Sequence, residues 1–234
     1  MNLAALFSGG KDSTYSIFEA QNRGHAVKCL VTILATSDES HLLHHPNVGL
    51  ASLQAKSMKI PQITITAKSS DTESELENLK EALSAAKKEY QVDGIVHGGI
   101  LSEFQKTKFE CVAKDLGLQI VSPLWQKNQT QYMRLLLDSG FEFIITSVSA
   151  DGLDKSWLGK KITKDDLGKL EQLSEKHKFN LSFEGGEAET FVVNCPLFSN
   201  PIEIQDSSIF WDGYRGRFEI VRAKIKDNAG QPKD

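Results

Sequence analysis

Phe7-Ser8-Gly9-Gly10-Lys11-Asp12-Ser13 is the stretch from which this chain is read. An apolar run, Leu3-Ala4-Ala5-Leu6-Phe7, leads into it and reads as a buried strand. Thr14 to Ala20 follows and reads as a helix. The stretch is therefore a strand-to-helix turn with two glycines at its bend, where backbone angles closed to a Cβ are open. The amides of Ser8 to Ser13 converge just outside a helix N-terminus. Such a place favours an anion through its orphan donors and the helix dipole. Lys11, read as lying on an exposed turn, adds a positive charge, and Ser8 and Ser13 add hydroxyl donors. The ligand described is a phosphate or a pyrophosphate; the bland alternative is a glycine-rich turn that binds nothing.

The Walker A loop, G-x-x-x-x-G-K-[ST], does not fit. Counting back from Gly10-Lys11 puts Ala5 where its first glycine belongs, and Asp12 stands where it needs Ser or Thr. The stretch instead resembles the SGGxDS loop of the ATP pyrophosphatases, the PP-loop. That resemblance implies ATP split between its α and β phosphates, an adenylylated substrate, and pyrophosphate held by Ser8, Gly9, Gly10, Lys11, Asp12 and Ser13.

The surrounding chain suits a soluble globular protein. Its 234 residues allow one large domain or two small ones, and 40% of them are hydrophobic. A net charge of −4 implies no general nucleic-acid surface. No apolar run approaches the ~20 residues of a membrane span. No basic region precedes the first apolar run, so no signal peptide is expected. Cys29, Cys111 and Cys195 are odd in number, widely spaced and form no C-x-x-C pair. The expectation is a cytoplasmic protein with free thiols, and the lack of a C-x-x-C pair weighs against a thiolation reading without removing it.

Outward from the turn, strand and helix patterns alternate. Val27 to Ala35 reads as a second buried strand, parallel to the first. Ligands in open α/β sheets bind beyond the C-terminal strand ends. Ala35 and Ser37 are therefore expected beside the adenine or ribose of a nucleotide. His41, His44 and His45 suggest a metal site. They are read as a polar loop, because no carboxylate or cysteine stands at ligand spacing and Pro46 breaks any helix. Asn47 is expected to cap a helix ending near Met58, and Gln62 to Thr66 reads as a strand. Thr72 with Glu75 fits a capping box for a helix through Leu76, Leu79, Leu83 and Ala86. Asp93 to His97 is the next strand, and Gly98-Gly99 at its end allows a purine or a phosphate to approach closely. Ser102 caps a helix carrying Lys106 and Lys108, and Gly117 to Val121 is a further strand. Beyond Pro123, helices are read at Tyr132–Leu137 and Leu167–Lys176, and strands at Phe141–Val148 and Phe218–Ile225.

The fold class expected is α/β: a parallel sheet with helices on both faces, plus a smaller C-terminal α/β domain. The boundaries drawn are 1–124 for nucleotide binding, 125–226 for the substrate, and a flexible tail over 227–234.

A second motif, Phe183-Glu184-Gly185-Gly186-Glu187-Ala188-Glu189-Thr190-Phe191, sets three carboxylates around a Gly-Gly bend. Like charge at this density is costly unless solvated or neutralised. Such a cluster holds Mg²⁺, binds a cationic substrate, or takes protons from an attacking amine; an exposed acidic turn is the bland reading. The turn at 8–13, the segment Gly99 to Gln105 continuing to Pro123-Leu124-Trp125, and Glu184 to Thr190 occur in this order. Together they resemble the diphthine–ammonia ligase family.

The resemblance covers about residues 1–200. It implies an N-terminal nucleotide-binding domain, a smaller C-terminal domain, and amidation of diphthine, a modified histidine of translation elongation factor 2. ATP and Mg²⁺ are the implied cofactors. Free ammonium is the implied nitrogen source, since no glutaminase signature is apparent. Carried over residue by residue, Lys11, Asp12 and Glu187 are catalytic. Ser8 to Ser13, Ala35, Ser37, Gly98 and Gly99 bind the nucleotide. Gln105, Lys106, Glu184, Glu187 and Glu189 bind the substrate, and Asp12 is a Mg²⁺ ligand. Trp125 or Trp211 is expected to offer an aromatic face to the trimethylammonium of diphthine. The family's Gln-Arg pair is Gln105-Lys106 here, which keeps the charge without the bidentate fork. Ala188 stands where the family often has Tyr. A homodimer is left open. Two rival readings stand beside this one: another PP-loop enzyme amidating or thiolating a small molecule or tRNA, and a nucleotide-binding sensor without activity.

Overall fold

The computed structural model describes residues 1–34, 47–67 and 71–227. Ala35, Ser37, His41, His44 and His45, and all of the expected tail except Asp227, lie outside the described residues.

The apolar run at the N-terminus forms β1 (Asn2–Leu6), the central strand of a five-stranded parallel sheet. Around it stand β2 (Ala26–Leu34), β3 (Gln62–Thr66), β4 (Gly94–Val96) and β5 (Gln119–Val121), in the order β3-β2-β1-β4-β5. The period of two in β1 and β2 assigns their faces. Leu3, Ala5, Phe7 and Leu30 join Ile17, Ala20, Ala51 and Ala55 on one side. Ala4, Cys29, Val31 and Ile33 join Leu79, Leu83, Phe109 and Val112 on the other. Thus α1 (Lys11–Asn22) and α2 (Ala51–Met58) cover one face, while α3 (Thr72–Tyr90) and α4 (Glu103–Asp115) cover the other. The chain reverses its direction of sheet growth between β1 and β4, so a crevice opens beyond their C-terminal ends.

The C-terminal half builds a separate antiparallel sheet from β6 (Glu142–Val148), β7 (Ala188–Asn194), β8 (Ile202–Trp211) and β9 (Gly216–Ile225), in the order β7-β6-β9-β8. Its helices are α5 (Gln129–Asp138) and α6 (Lys164–His177). Strand β8 is absent from the reading of the sequence. Its Asp206-Ser207-Ser208 centre and a register shift at Asp206 interrupt the alternation that marks a strand.

One core joins the two halves. Tyr15 and Ile100, from the N-terminal half, pack with Tyr132, Phe141, Phe143 and Leu170. Tyr15 meets Tyr132 and Phe141 edge to face at 5.5 and 5.2 Å, so α1 serves both halves.

Three local expectations are corrected. Helix α1 begins at Lys11 rather than Thr14, so Lys11, Asp12 and Ser13 form its first turn. Asn47 caps no helix: its side chain donates to the Phe218 carbonyl at 3.1 Å and accepts from the Ile220 amide at 2.9 Å, clasping β9. Helix α3 is capped by Asp71, which accepts from the Ser74 amide; Glu75 is instead buried.

Candidate active site

The β1–α1 turn lies in the crevice between β1 and β4. Gly9 adopts φ +83°, and a Cβ there would overlap the Gln54 side chain. Gln54 is buried and donates to the Gly9 carbonyl at 2.9 Å and the Val192 carbonyl at 2.7 Å. The turn is also stitched to β7. The Val192 amide donates to the Gly9 carbonyl at 3.0 Å, and the Lys11 amide donates to Thr190 Oγ1 at 3.1 Å. Ser8 and Ser13 hydroxyls stand 3.2 Å apart, and Ser13 Oγ donates to the Gly10 carbonyl at 3.1 Å. The amides of Asp12 and Ser13, in the first helical turn, have no earlier carbonyl within the helix to bond. They keep donor capacity at the positive end of the α1 dipole.

Lys11 is buried, 1% exposed, which corrects the exposed turn expected for it. Its Nζ donates to both Asp12 carboxylate oxygens at 2.9 and 2.8 Å and to the Ser182 carbonyl at 2.5 Å. It also lies 5.5 Å from the Phe183 ring centre. Asp12 Oδ1 accepts a further bond of 2.6 Å from the Tyr132 hydroxyl.

Gly98 follows β4, and its place is dictated by packing. A Cβ there would lie 2.5 Å from the Asp12 carbonyl carbon and 2.6 Å from the Ser13 nitrogen, so only glycine lets the two turns touch. His97 beside it is buried and edge-on to Phe109. Its Nδ1 accepts from the Gly99 amide at 3.1 Å, which puts the proton of the neutral ring on Nε2, 2.7 Å from Ser122 Oγ. Burial, then the Lys106 charge, pulls its pKa down to about 4, so the ring is neutral at physiological pH.

The three carboxylates of the second motif do not gather around one point. Glu184 Oε1 accepts from the consecutive amides of Ile100, Leu101 and Ser102 at 3.0, 3.2 and 3.4 Å. Burial, then the Asp12 charge, raises its pKa; the amides and Lys11 oppose that rise. Glu187 closes its own bend. Oε1 accepts from the Asn180 amide and Nδ2, both at 2.8 Å, and Oε2 from the Gly185 amide at 2.8 Å. Glu187 does not line the cavity, whereas Glu189, on β7, does.

These segments enclose one cavity of about 620 Å³. Ser8, Gly10, Lys11, Asp12 and Ser13 meet Gly98, Gly99 and Gln105 there, and Glu184, Gly185, Gly186 and Glu189 stand opposite. Leu6, Val31, Ile33, Leu79 and Phe109 form an apolar recess. Lys106 does not line the cavity. Its Nζ sits 4.3 Å from the Trp125 ring centre, so that aromatic face is already taken by a cation. Asp12 is a poor Mg²⁺ ligand, because the Lys11 ammonium bonds both of its oxygens. Among the described residues no cluster of three metal-ligating side chains occurs. Cys29 and Cys195 are buried, and burial pushes both thiols up to about 12. They are inert as sulfur nucleophiles.

Gln54, His97, Tyr132 and Thr190 were not singled out as site residues from the sequence. Gln54 alone carries a local signal, as a polar residue on a helix face otherwise made of Ala51, Ala55 and Met58.

Residues 1–120 match the diphthamide synthase N-terminal domain, and residues 128–225 match the diphthamide synthase C-terminal domain. The chain belongs to the diphthamide synthase family. A relative from Bos taurus, named diphthine–ammonia ligase, is 37% identical over 227 residues, covering 89% of this chain and 85% of its own length. The Homo sapiens protein of the same name is 36% identical with the same coverage. The like-named protein of Schizosaccharomyces pombe is 31% identical over 89% of this chain, which spans 37% of that longer relative. Residues from both matched domains line the cavity. No helix among the described residues is long and apolar enough to cross a membrane.

Proposed function

We propose that this protein amidates diphthine on translation elongation factor 2 in the cytoplasm, using ATP and ammonium. The observation that carries the reading is the single cavity in which the β1–α1 turn faces the 183–190 segment. The turn supplies what a polyphosphate needs: first-turn amides, the α1 dipole and two serine hydroxyls. The apolar recess of Leu6, Val31, Ile33 and Leu79 suits a purine. The acceptor side chain then enters from the side of Ser147, Ser149 and Glu189.

In the first step a diphthine carboxylate oxygen attacks the α phosphorus. The α–β bridging bond breaks, pyrophosphate leaves, and an acyl-adenylate remains. In the second step ammonia attacks the acyl carbon, the carbon–oxygen bond to AMP breaks, and the nitrogen loses a proton. The chain's part is to hold the phosphates on donors fixed before the reaction, which stabilises charge as it develops. Lys11 acts from behind the turn, anchoring it to Ser182, rather than as a free cation on the phosphates. A Mg²⁺ ion arriving with the nucleotide would supply charge neutralisation, and the described residues include no cluster built to hold it. Asp12 is not assigned to it.

The test is ATP labelled at its α phosphate, incubated with ammonium and elongation factor 2 in its diphthine form. AMP and pyrophosphate formed only when the acceptor is present, with an amide found on the acceptor by mass spectrometry, is the expected result. A small carboxylic acid that triggers the same release, or ATP binding without any cleavage, overturns the proposal.

A further inference from the structure

We infer that Tyr132 is a positioning residue of this site: its hydroxyl fixes the Asp12 carboxylate and, through it, the Lys11 ammonium, so that the phosphate-facing turn and the 182–186 bend are held as one unit. The inference rests on the ATP-dependent amidation proposed above.

Tyr132 is completely buried on α5, and a buried hydroxyl needs a partner. An ionised carboxylate only accepts, so the 2.6 Å contact has the tyrosine donating to Asp12 Oδ1. Burial and the Asp12 charge push the phenol well above its ordinary range, so it stays a donor at every physiological pH. Asp12 in turn holds Lys11 Nζ, which donates its remaining bond to the Ser182 carbonyl. The next residue, Phe183, has φ +62°, a conformation a bulky side chain occupies only when its surroundings impose it. That strained residue opens the bend carrying Glu184, Gly185 and Gly186 to the cavity wall.

A second contact from the same helix supports the assignment. Gln129 lies one turn before Tyr132 on α5. It accepts from the Ser182 amide at 3.0 Å and donates to Asn180 Oδ1 at 3.2 Å. Helix α5 thus holds the bend directly through Gln129 and indirectly through Tyr132, Asp12 and Lys11. The tyrosine ring packs edge-on to Tyr15, a contact that phenylalanine preserves. The hydroxyl can therefore be removed without emptying the core.

Tyr132→Phe is measured by turnover per mole of ATP bound, by KM for ATP, and by the ¹⁵N resonance of the Lys11 ammonium in the ATP-free protein. Turnover should fall about ten-fold or more, as expected for one lost hydrogen bond to a charge, with little change in KM. The resonance should shift or broaden. Turnover close to wild type overturns the inference. So does lowered turnover with an unmoved Lys11 resonance, because that is the signature of a packing role alone. Asp12→Asn keeps the shape of its side chain and removes the charge; it must move the same resonance, and an unmoved one overturns the inference even if Tyr132→Phe fails to fold. The resonance needs no turnover, and wild-type product formation tests the amidation reading separately.

Discussion

Glu184 Oε1 accepts the Ile100 amide at 3.0 Å and the next two amides along the chain. One carboxylate from the second motif thereby shapes the loop between β4 and α4. Glu184→Ala strands three donors, and its cost should be about 1.5–3 kcal/mol, the range for hydrogen bonds to a charged group. Glu184→Gln keeps one acceptor oxygen and should cost less. Denaturant melts of both variants order the two. Equal stability to wild type in the alanine variant would show that the amides are satisfied by water instead.

Lys11→Ala should destabilise the fold, contrary to what an exposed turn would predict. The substitution leaves Asp12 without its cation and the Ser182 carbonyl without its donor. A loss of about 2–3 kcal/mol follows from removing one member of a largely buried, hydrogen-bonded pair, discounted for the partial exposure of Asp12. Chemical denaturation monitored by tryptophan fluorescence reads this directly.

Gly98→Ala brings a methyl group within 2.5 Å of the Asp12 backbone, closer than any relaxed contact. The obstacle is backbone, so the β1–α1 turn itself must move. ATP affinity should fall by about ten-fold or more, since a misplaced donor array loses its hydrogen bonds. Isothermal titration with a non-hydrolysable ATP analogue, beside a control substitution at Gly168, where an added Cβ would meet nothing within 4 Å, separates this from a general effect of added Cβ atoms.

His97 predicts how stability depends on pH. Unfolded, its ring takes a proton near pH 6.5, while the folded ring resists protonation down to about 4. Between these values the unfolded state binds more protons, so stability falls as pH is lowered through that window and the loss is complete below it. The full effect is on the order of 3 kcal/mol. Melts from pH 7.5 to 4.5 should show this slope in the wild type and a reduced one in His97→Gln. Identical slopes would assign the acid sensitivity to other groups.

What was legible in the sequence came from local patterns. The run Leu3–Phe7, the two glycines and the following helix announce a βα turn, because burial on both faces of a central strand leaves an unbroken apolar run. Ser102 was readable as a cap, since the hydroxyl serves an amide three residues away. Caps chosen by tertiary context were not: Asp71 displaced Thr72 at α3, and Asn47 turned away from its helix to hold β9. Strand β8 escaped because its centre is polar on both faces.

The site divides in the same way. By itself the sequence pointed to three segments that line the cavity: the turn at 8–13, the Gly98-Gly99 step and the 184–190 bend each stand out by glycines or by clustered charge. Tertiary structure alone decided what each charged side chain does. Lys11 meets Ser182 across 171 residues, Asp12 meets Tyr132 across 120, and Glu184 meets Ile100 across 84. A carboxylate or an ammonium carries no periodic signal of its partner. Whether it faces a ligand or is spent inside the fold depends on which donors and acceptors burial brings within about 3 Å, and that is set by how the two halves pack against each other.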